Sequence, residues 1–160
     1  MLLTNHVLAG ALVGRLSGRR STAVVAGVAS HAVLDVSPHY RIPEHRFMTF
    51  AVCDGLLALA VSGALLARTR RGQRLAVAAA IFGACLPDLD KPGRHLFGRS
   101  PFPAGVDRLH ARIQTELPHL AGVELAAAAG LGVAAWTLLP RHRPPAAVAA
   151  RQRVAVSPRG

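Results

Sequence analysis

The chain has 160 residues, of which 51% are hydrophobic, 17% charged and 4% aromatic, and its mean hydropathy is +0.33. This composition excludes disorder over most of the chain, because the apolar residues form continuous blocks instead of being diluted by charge. A net charge of +11 is compatible with nucleic acid or an anionic membrane surface. The basic residues flank the apolar blocks, however, which argues against nucleic acid as a partner.

An all-α fold is predicted by five apolar blocks, at residues 2–16, 22–36, 47–67, 75–86 and 120–139. The third and fifth run for roughly 20 residues, the length that crosses about 30 Å of hydrocarbon. The other three are shorter and span a bilayer only if flanking arginines snorkel or the bilayer thins. The surface helices of a soluble bundle would carry a polar stripe that these blocks lack. We therefore predict a polytopic membrane bundle of about five helices, with membrane lipids as partners.

Two segments differ from these blocks. The longest connection, residues 87–119, is rich in proline and glycine and ends in AGVDRLHARIQTEL, which predicts a short amphipathic helix. After residue 140 the sequence is basic and contains prolines but no aromatic residue. These features predict a helical membrane domain at 1–140 and a mobile basic tail at 141–160, lying at the membrane surface.

The arginines are distributed unevenly between the two ends of the predicted helices. If five helices cross in alternation, one side of the membrane holds 12 of the 19 basic residues and no acid: Arg15, Arg19, Arg20, Arg68, Arg70, Arg71, Arg74, Arg141, Arg143, Arg151, Arg153 and Arg159. Cytoplasmic loops carry an excess of arginine and lysine. We therefore expect a multi-pass protein of the cytoplasmic membrane with its C-terminal tail in the cytoplasm.

The opposite ends of the same helices carry the ionisable side chains. They are His6, His31, Asp35, Asp54, Asp88, Asp90 and Glu124. Polar residues are tolerated at helix ends in general, but the arginine-rich ends hold none of these residue types before His142. Because ionisable groups in apolar helices are costly, their concentration on one side predicts a shared site there.

His31 and Asp35 are the first candidate ligand pair of this site. They are four residues apart, so on a helix an imidazole nitrogen and a carboxylate oxygen face the same cation. His39 follows after Pro38. Such donors suit zinc or another divalent first-row metal. The alternative is an ordinary hydrogen bond on the helix surface.

Asp88 and Asp90 form a second candidate pair directly after Pro87, where the backbone turns. Both carboxylates could bind one ion. The alternatives are a solvated acidic turn, or an interaction of Asp88 with Lys91 or Arg94. Asp54 and Glu124 lie inside apolar blocks, where a carboxylate needs a cation, a proton or a polar partner. We expect both to be buried in the bundle interior, each in contact with a histidine, an arginine or another residue of the site.

We combine these candidates into one site that binds a divalent metal ion, with zinc favoured. The expected metal ligands are His6, His31, Asp35, His39, Asp88 and Asp90. Proton transfer is assigned to His110 and Glu116 of the long connection, which could close over a substrate. The alternative is that these two residues form the polar face of the amphipathic helix.

Three segments, TNHVLAGALVG, SHAVLDVSPHY and LPDLD, resemble a known family. They are similar to the bacterial membrane-bound, metal-dependent hydrolases that include LexA-regulated inner-membrane proteins. The histidine and aspartate stretch also resembles, more distantly, the ligand segment of zinc-dependent phospholipases C and S1/P1 nucleases. The first resemblance implies a hydrolase of the bacterial inner membrane, and the second implies His31, Asp35 and His39 as metal ligands.

Two functions are compatible with these observations. The first is a metal-dependent hydrolase that acts on a phosphoester or lipid-like substrate at the membrane face. The second is a small integral membrane protein without enzymatic activity, whose metal site is structural or vestigial. The sequence leaves the substrate, the number of ions and the oligomeric state open.

Overall fold

The structure, a computed structural model, describes residues 1–139, which are mostly helical. The seven helices of this part are α1 (Leu3–Leu16), α2 (Arg20–Val36), α3 (Phe47–Arg68), α4 (Arg71–Cys85), α5 (Asp90–Phe97), α6 (Ala104–Ile113) and α7 (Ala121–Leu138). One-turn 3-10 helices lie at Glu44–Arg46 and Pro87–Leu89. Two short strands, β1 (His39–Tyr40) and β2 (Glu116–Leu117), pair in parallel. The tail predicted at 141–160 lies outside the described residues.

The all-α prediction is confirmed, and the five apolar blocks correspond to α1, α2, α3, α4 and α7. The predicted amphipathic helix is α6. Helix α5 was not expected, because Pro92 and Gly93 indicate a loop. Pro92 is third in this helix, where its missing N–H has no partner within the helix in any case, and Gly98 ends the helix with a φ of 68°.

Two helical segments, Glu44–Arg68 and Ala121–Leu138, are long and apolar enough to cross a membrane. They contain α3 and α7, the two blocks of full spanning length. By the same measure the remaining described helices are too short or too polar, so a bundle of five spanning helices is not established. Only 11% of the most apolar stretch of each segment is buried within the protein. The core helix of a soluble protein would instead be mostly buried.

Close backbone packing of α1 and α2 on α4 forms the centre of the molecule. Gly10, Gly14 and Gly27 lie against α4, and a Cβ at Gly27 would be 2.1 Å from the Ala80 carbonyl oxygen. Gly83 of α4 makes the reciprocal approach to the backbone of α2. Small residues permit this approach, as in membrane helix pairs. It brings the ends of α1, α2 and α4 together at the candidate site.

The first turn of α1 is held by two carboxylates from other helices. Asp54 of α3 accepts hydrogen bonds from the Leu3 and Thr4 N–H groups at 2.5 and 3.3 Å. Glu124 of α7 accepts from the Leu2 N–H at 2.6 Å and from Asn5 Nδ2 at 2.8 Å. The first N–H groups of a helix have no partner within it, and carboxylates near that end are stabilising. These contacts fix the depth of α1 relative to α3 and α7.

Candidate metal centre

Four side chains from three elements converge at the common end of α1, α2 and α4. His31 and Asp35 come from the last turns of α2, Asp88 from the 3-10 turn after α4, and His110 from α6. One ligand atom from each lies within 4.8 Å of the other three. Two imidazole nitrogens and two carboxylate oxygens at this separation can surround one divalent ion, and four such ligands match the coordination number of zinc. We call these four residues the metal-binding cluster.

The orientation of His31 is fixed by the backbone of α4. Its Nδ1–H donates to the Ala84 carbonyl oxygen at 2.7 Å, and a carbonyl can only accept. In the neutral ring the Nε2 lone pair therefore faces the cluster, 3.0 Å from Asp35 Oδ2 and 3.1 Å from His110 Nε2. A lone pair facing a carboxylate oxygen is repulsive unless a proton or a metal ion lies between them. Metal-bound histidines show this same arrangement, with the second nitrogen held by a carbonyl or carboxylate.

His110 is oriented in the same way, but by a carboxylate. Its Nε2 lies 3.2 Å from Asp35 Oδ2, and its Nδ1 lies 3.5 Å from Asp90 Oδ2. The hydrogen bond to Asp35 raises the pKa of His110, an effect that burial opposes. A proton therefore binds His110 more tightly than it binds a free imidazole, and a metal ion would compete with it.

The position of Asp90 differs from the role expected from the sequence. We predicted a direct metal ligand, whereas Asp90 lies behind His110 and is not one of the four clustered side chains. Its carboxylate is suited to orient the imidazole. His110, to which we assigned proton transfer, is one of the four residues whose ligand atoms lie together. The spacing of two between Asp88 and Asp90 does not reveal this difference, because the 3-10 turn directs the two side chains to different partners.

His6 of α1 adjoins the cluster and places another imidazole nitrogen beside its two carboxylates. Its Nε2 is 3.3 Å from Asp35 Oδ1 and 3.6 Å from Asp88 Oδ2, and its ring stacks on His31 with a centroid distance of 4.0 Å. Among the described residues, neither nitrogen of His6 nor Asp35 Oδ1 has a hydrogen-bond partner, although all three atoms are buried. Buried polar atoms without partners are costly, and coordination of a cation would satisfy Nε2 and Oδ1 together.

Lys91 is a positively charged side chain next to the cluster. Its Nζ lies 2.8 Å from Asp88 Oδ1. Burial raises the pKa of Asp88, but the nearby Lys91, His6 and His31 lower it by more. The pKa of Asp88 therefore lies below its usual value. For Lys91 the effects have the opposite signs: burial lowers its pKa, whereas the carboxylate of Asp88 raises it by more. The pKa of Lys91 therefore lies above its usual value. Asp88 is therefore ionised, as a ligand must be, and Lys91 is charged.

His39 and Glu116 form a separate pair on the two strands. His39 Nδ1–H donates to the Ser37 carbonyl oxygen at 2.9 Å, while its buried Nε2 lies 4.0 Å from Glu116 Oε1. His39, a predicted ligand, is not part of the metal-binding cluster. Glu116 is about one-third exposed, and Arg41 Nε lies 3.7 Å from its other oxygen. Sequence reasoning could not place this pair, because the contact of β1 with β2 joins residues 77 positions apart.

Asp54 and Glu124 lie at the same end of the bundle but bind α1 instead of a metal. Glu124 is buried as expected, and its second oxygen accepts a hydrogen bond from the Tyr40 N–H at 3.1 Å. The partners of both carboxylates are amide groups and the Thr4 hydroxyl, whereas we expected a histidine, an arginine or another residue of the site. They therefore position His6, which follows the first turn of α1.

Comparison with known proteins gives no match for this chain among protein-family models, curated proteins or solved structures.

Proposed function

We propose that the protein is a membrane-bound, metal-dependent hydrolase acting on a phosphoester or lipid-like substrate at the membrane face. The observation that supports it most strongly is the metal-binding cluster, whose four ligand atoms come from three elements and lie within 4.8 Å of one another. His31 and His110 each have Nδ1 directed to an oxygen atom outside the cluster, which leaves Nε2 for the ion. The resemblance of three sequence segments to membrane-bound metal-dependent hydrolases favours the same function.

The membrane part of the proposal rests on exposed apolar helices. Leu56 and Leu59 of α3 and Leu125 and Val133 of α7 are 65–71% exposed. Large contiguous apolar surfaces of this kind are rare on soluble monomers. The arginines at the opposite helix ends favour a cytoplasmic location for that side. We infer a multi-pass protein of the inner membrane, with the metal-binding cluster near the outer face.

The reaction would use residues with distinct positions around the cluster. A bound divalent ion supplies a water molecule of lowered pKa and neutralises charge on the phosphoryl oxygens. The Ala84 carbonyl orients the His31 imidazole, and Asp90 orients that of His110. Lys91 pairs with Asp88, and its positive charge would attract a substrate anion. Glu116, partly exposed and beside the same cavity as Asp88, is the candidate for proton transfer at its Oε1.

A structural metal site is the second candidate function. A structural role is favoured by the burial of the cluster, since His31 and Asp35 are almost completely inaccessible to solvent. Catalytic metal sites keep one position open to water or substrate. Asp88, however, is partly exposed and lines a cavity, so the cluster has one accessible side. This accessible side makes the catalytic function the better supported of the two.

The function is tested by measuring metal content and phosphodiesterase activity on the same samples. The wild type, His31→Ala and His119→Ala are purified in detergent, stripped with EDTA, reloaded with zinc or manganese and assayed with bis(p-nitrophenyl) phosphate. His119 is exposed and serves as the matched control. We expect the wild type and His119→Ala to bind metal and hydrolyse the probe, and His31→Ala to lose both. Metal binding with no hydrolysis of any phosphodiester would favour the structural site, and no metal binding would exclude both functions.

A further inference from the structure

A cavity of about 510 Å³ lies beside the metal-binding cluster, between the first half of α3 and helix α5. We propose that it binds the hydrocarbon chain of a phosphate-bearing amphiphile that enters from the bilayer, with its head group at the cluster. This inference rests on the proposed function and specifies the substrate class of the same site. The volume lies within the usual range for small-molecule pockets, about 300–1,000 Å³.

The walls of the cavity are mainly apolar and come from several segments of the chain. Helix α3 contributes Phe47, Met48 and Phe50, and the opposite wall includes Leu89 and Leu96. Apart from Phe47, these side chains are among the exposed large hydrophobic residues of the protein. A hydrocarbon chain would cover them, and each methylene that passes from water into the cavity raises the affinity about fourfold.

The polar end of the cavity is formed by Asp88, Lys91 and Glu116. Asp88 belongs both to the cavity wall and to the metal-binding cluster, so a head group at this end lies next to the proposed ion. The Lys91 ammonium group, with 30% of its side chain exposed, is available to a phosphate oxygen. Arg41 offsets the charge of Glu116, which would otherwise repel an anion. The charge distribution therefore suits an anionic head and an apolar tail.

The outer face of α3 explains why the ligand would come from the membrane. Val52 lines the cavity and is 54% exposed, and Leu56, one turn further along α3, is 65% exposed. Helix α3 is one of the two helices able to cross a bilayer. The apolar surface is therefore continuous from the candidate span to the cavity. A lipid chain could move along this surface without crossing water, whereas a soluble phosphoester gains nothing from it.

The test compares two alkyl phosphates that share a head group. Ethyl phosphate and octyl phosphate are titrated into zinc-loaded protein in phosphatidylcholine nanodiscs by calorimetry, with empty nanodiscs as the blank. If half of the six additional methylenes are buried in the cavity, octyl phosphate binds roughly 50-fold more tightly. Ala51→Trp, in the cavity wall, should reduce this ratio to within about threefold of unity. Ala60→Trp, exposed on α3 and outside the cavity, should leave the ratio unchanged.

Two further variants keep the outcome interpretable. Leu96→Gln changes the opposite wall and should also lower the ratio if Ala51→Trp fails to fold. Lys91→Met should reduce the affinity for both phosphates by the same factor, about tenfold, and leave the ratio of the two affinities unchanged. Equal affinity of the wild type for both phosphates would overturn the inference even if metal binding and hydrolysis are present. A chain-length preference in a protein that binds no metal would instead contradict the proposed function and retain the chain-binding cavity.

Discussion

Replacing Gly27 with alanine tests how the packing of α2 on α4 supports the metal-binding cluster. A Cβ at this position would lie 2.1 Å from the Ala80 carbonyl oxygen and 2.8 Å from the Ala84 nitrogen. Both are backbone atoms, so no change of rotamer relieves the overlap and the two helices must separate. Overpacking of this kind costs about 1–3 kcal/mol. The gain from replacing glycine within a helix, about 0.5–1 kcal/mol, offsets only part of that cost.

The same separation should weaken metal binding. His31 lies one turn beyond Gly27, and its Nδ1–H donates to the carbonyl oxygen of Ala84, one of the residues that the new methyl group displaces. Loss of such a supporting hydrogen bond reduces metal affinity about 10–100-fold. We therefore expect Gly27→Ala to be less stable and to bind zinc more weakly.

The assays are thermal unfolding and zinc titration of the detergent-solubilised protein. Gly63→Ala, on the exposed side of α3, is the matched control because a Cβ there has no neighbour within 4 Å. It should be as stable as the wild type or slightly more stable, with the same zinc affinity. Unchanged stability and zinc affinity in Gly27→Ala would refute the proposed support of His31 by this helix contact.

Three further predictions concern the remaining parts of the structure. Glu124→Gln should lower the free energy of unfolding by about 1.5–3 kcal/mol in denaturant titrations, because the charged acceptor of the Leu2 and Asn5 donors is lost; an unchanged midpoint would contradict this role. Zinc at 100 times its dissociation constant should stabilise the wild type by about 2.7 kcal/mol over the EDTA-treated protein, and identical melting curves would argue against folding-coupled binding. A reporter fused after Arg159 should be cytoplasmic and one inserted near Arg99 external, and the reverse labelling would move the cluster to the cytoplasmic side.

The helices were predictable because their apolar blocks are long and continuous. The limits of α1 and α3 follow the blocks within one residue, whereas α4 begins at Arg71, four residues before its block. That first turn is polar and was assigned to the preceding loop. Helix α5 was missed because its apolar residues are few and its proline occupies a position that tolerates one.

The sequence predicted which residues lie together at the candidate site better than it predicted what each of them contacts. The one-sided distribution of acids and histidines correctly indicated which helix ends meet, and the spacing of His31 and Asp35 placed both on one face of α2. Spacing alone could not show that Asp90 contacts the Nδ1 side of the His110 ring, away from the cluster. It also could not show that Asp54 and Glu124 accept hydrogen bonds from amides at the start of α1. Those contacts depend on tertiary packing between segments far apart in the sequence.

The most direct test of the central claim is X-ray absorption at the zinc edge of the zinc-loaded protein. The metal-binding cluster predicts nitrogen and oxygen neighbours at about 2.0–2.2 Å, including at least two imidazoles, with one imidazole fewer or no bound zinc in His31→Ala. His119→Ala should give the wild-type spectrum. Retention of an unchanged zinc spectrum by His31→Ala, or a sulfur neighbour at about 2.3 Å, would show that zinc binds elsewhere and would contradict the claim.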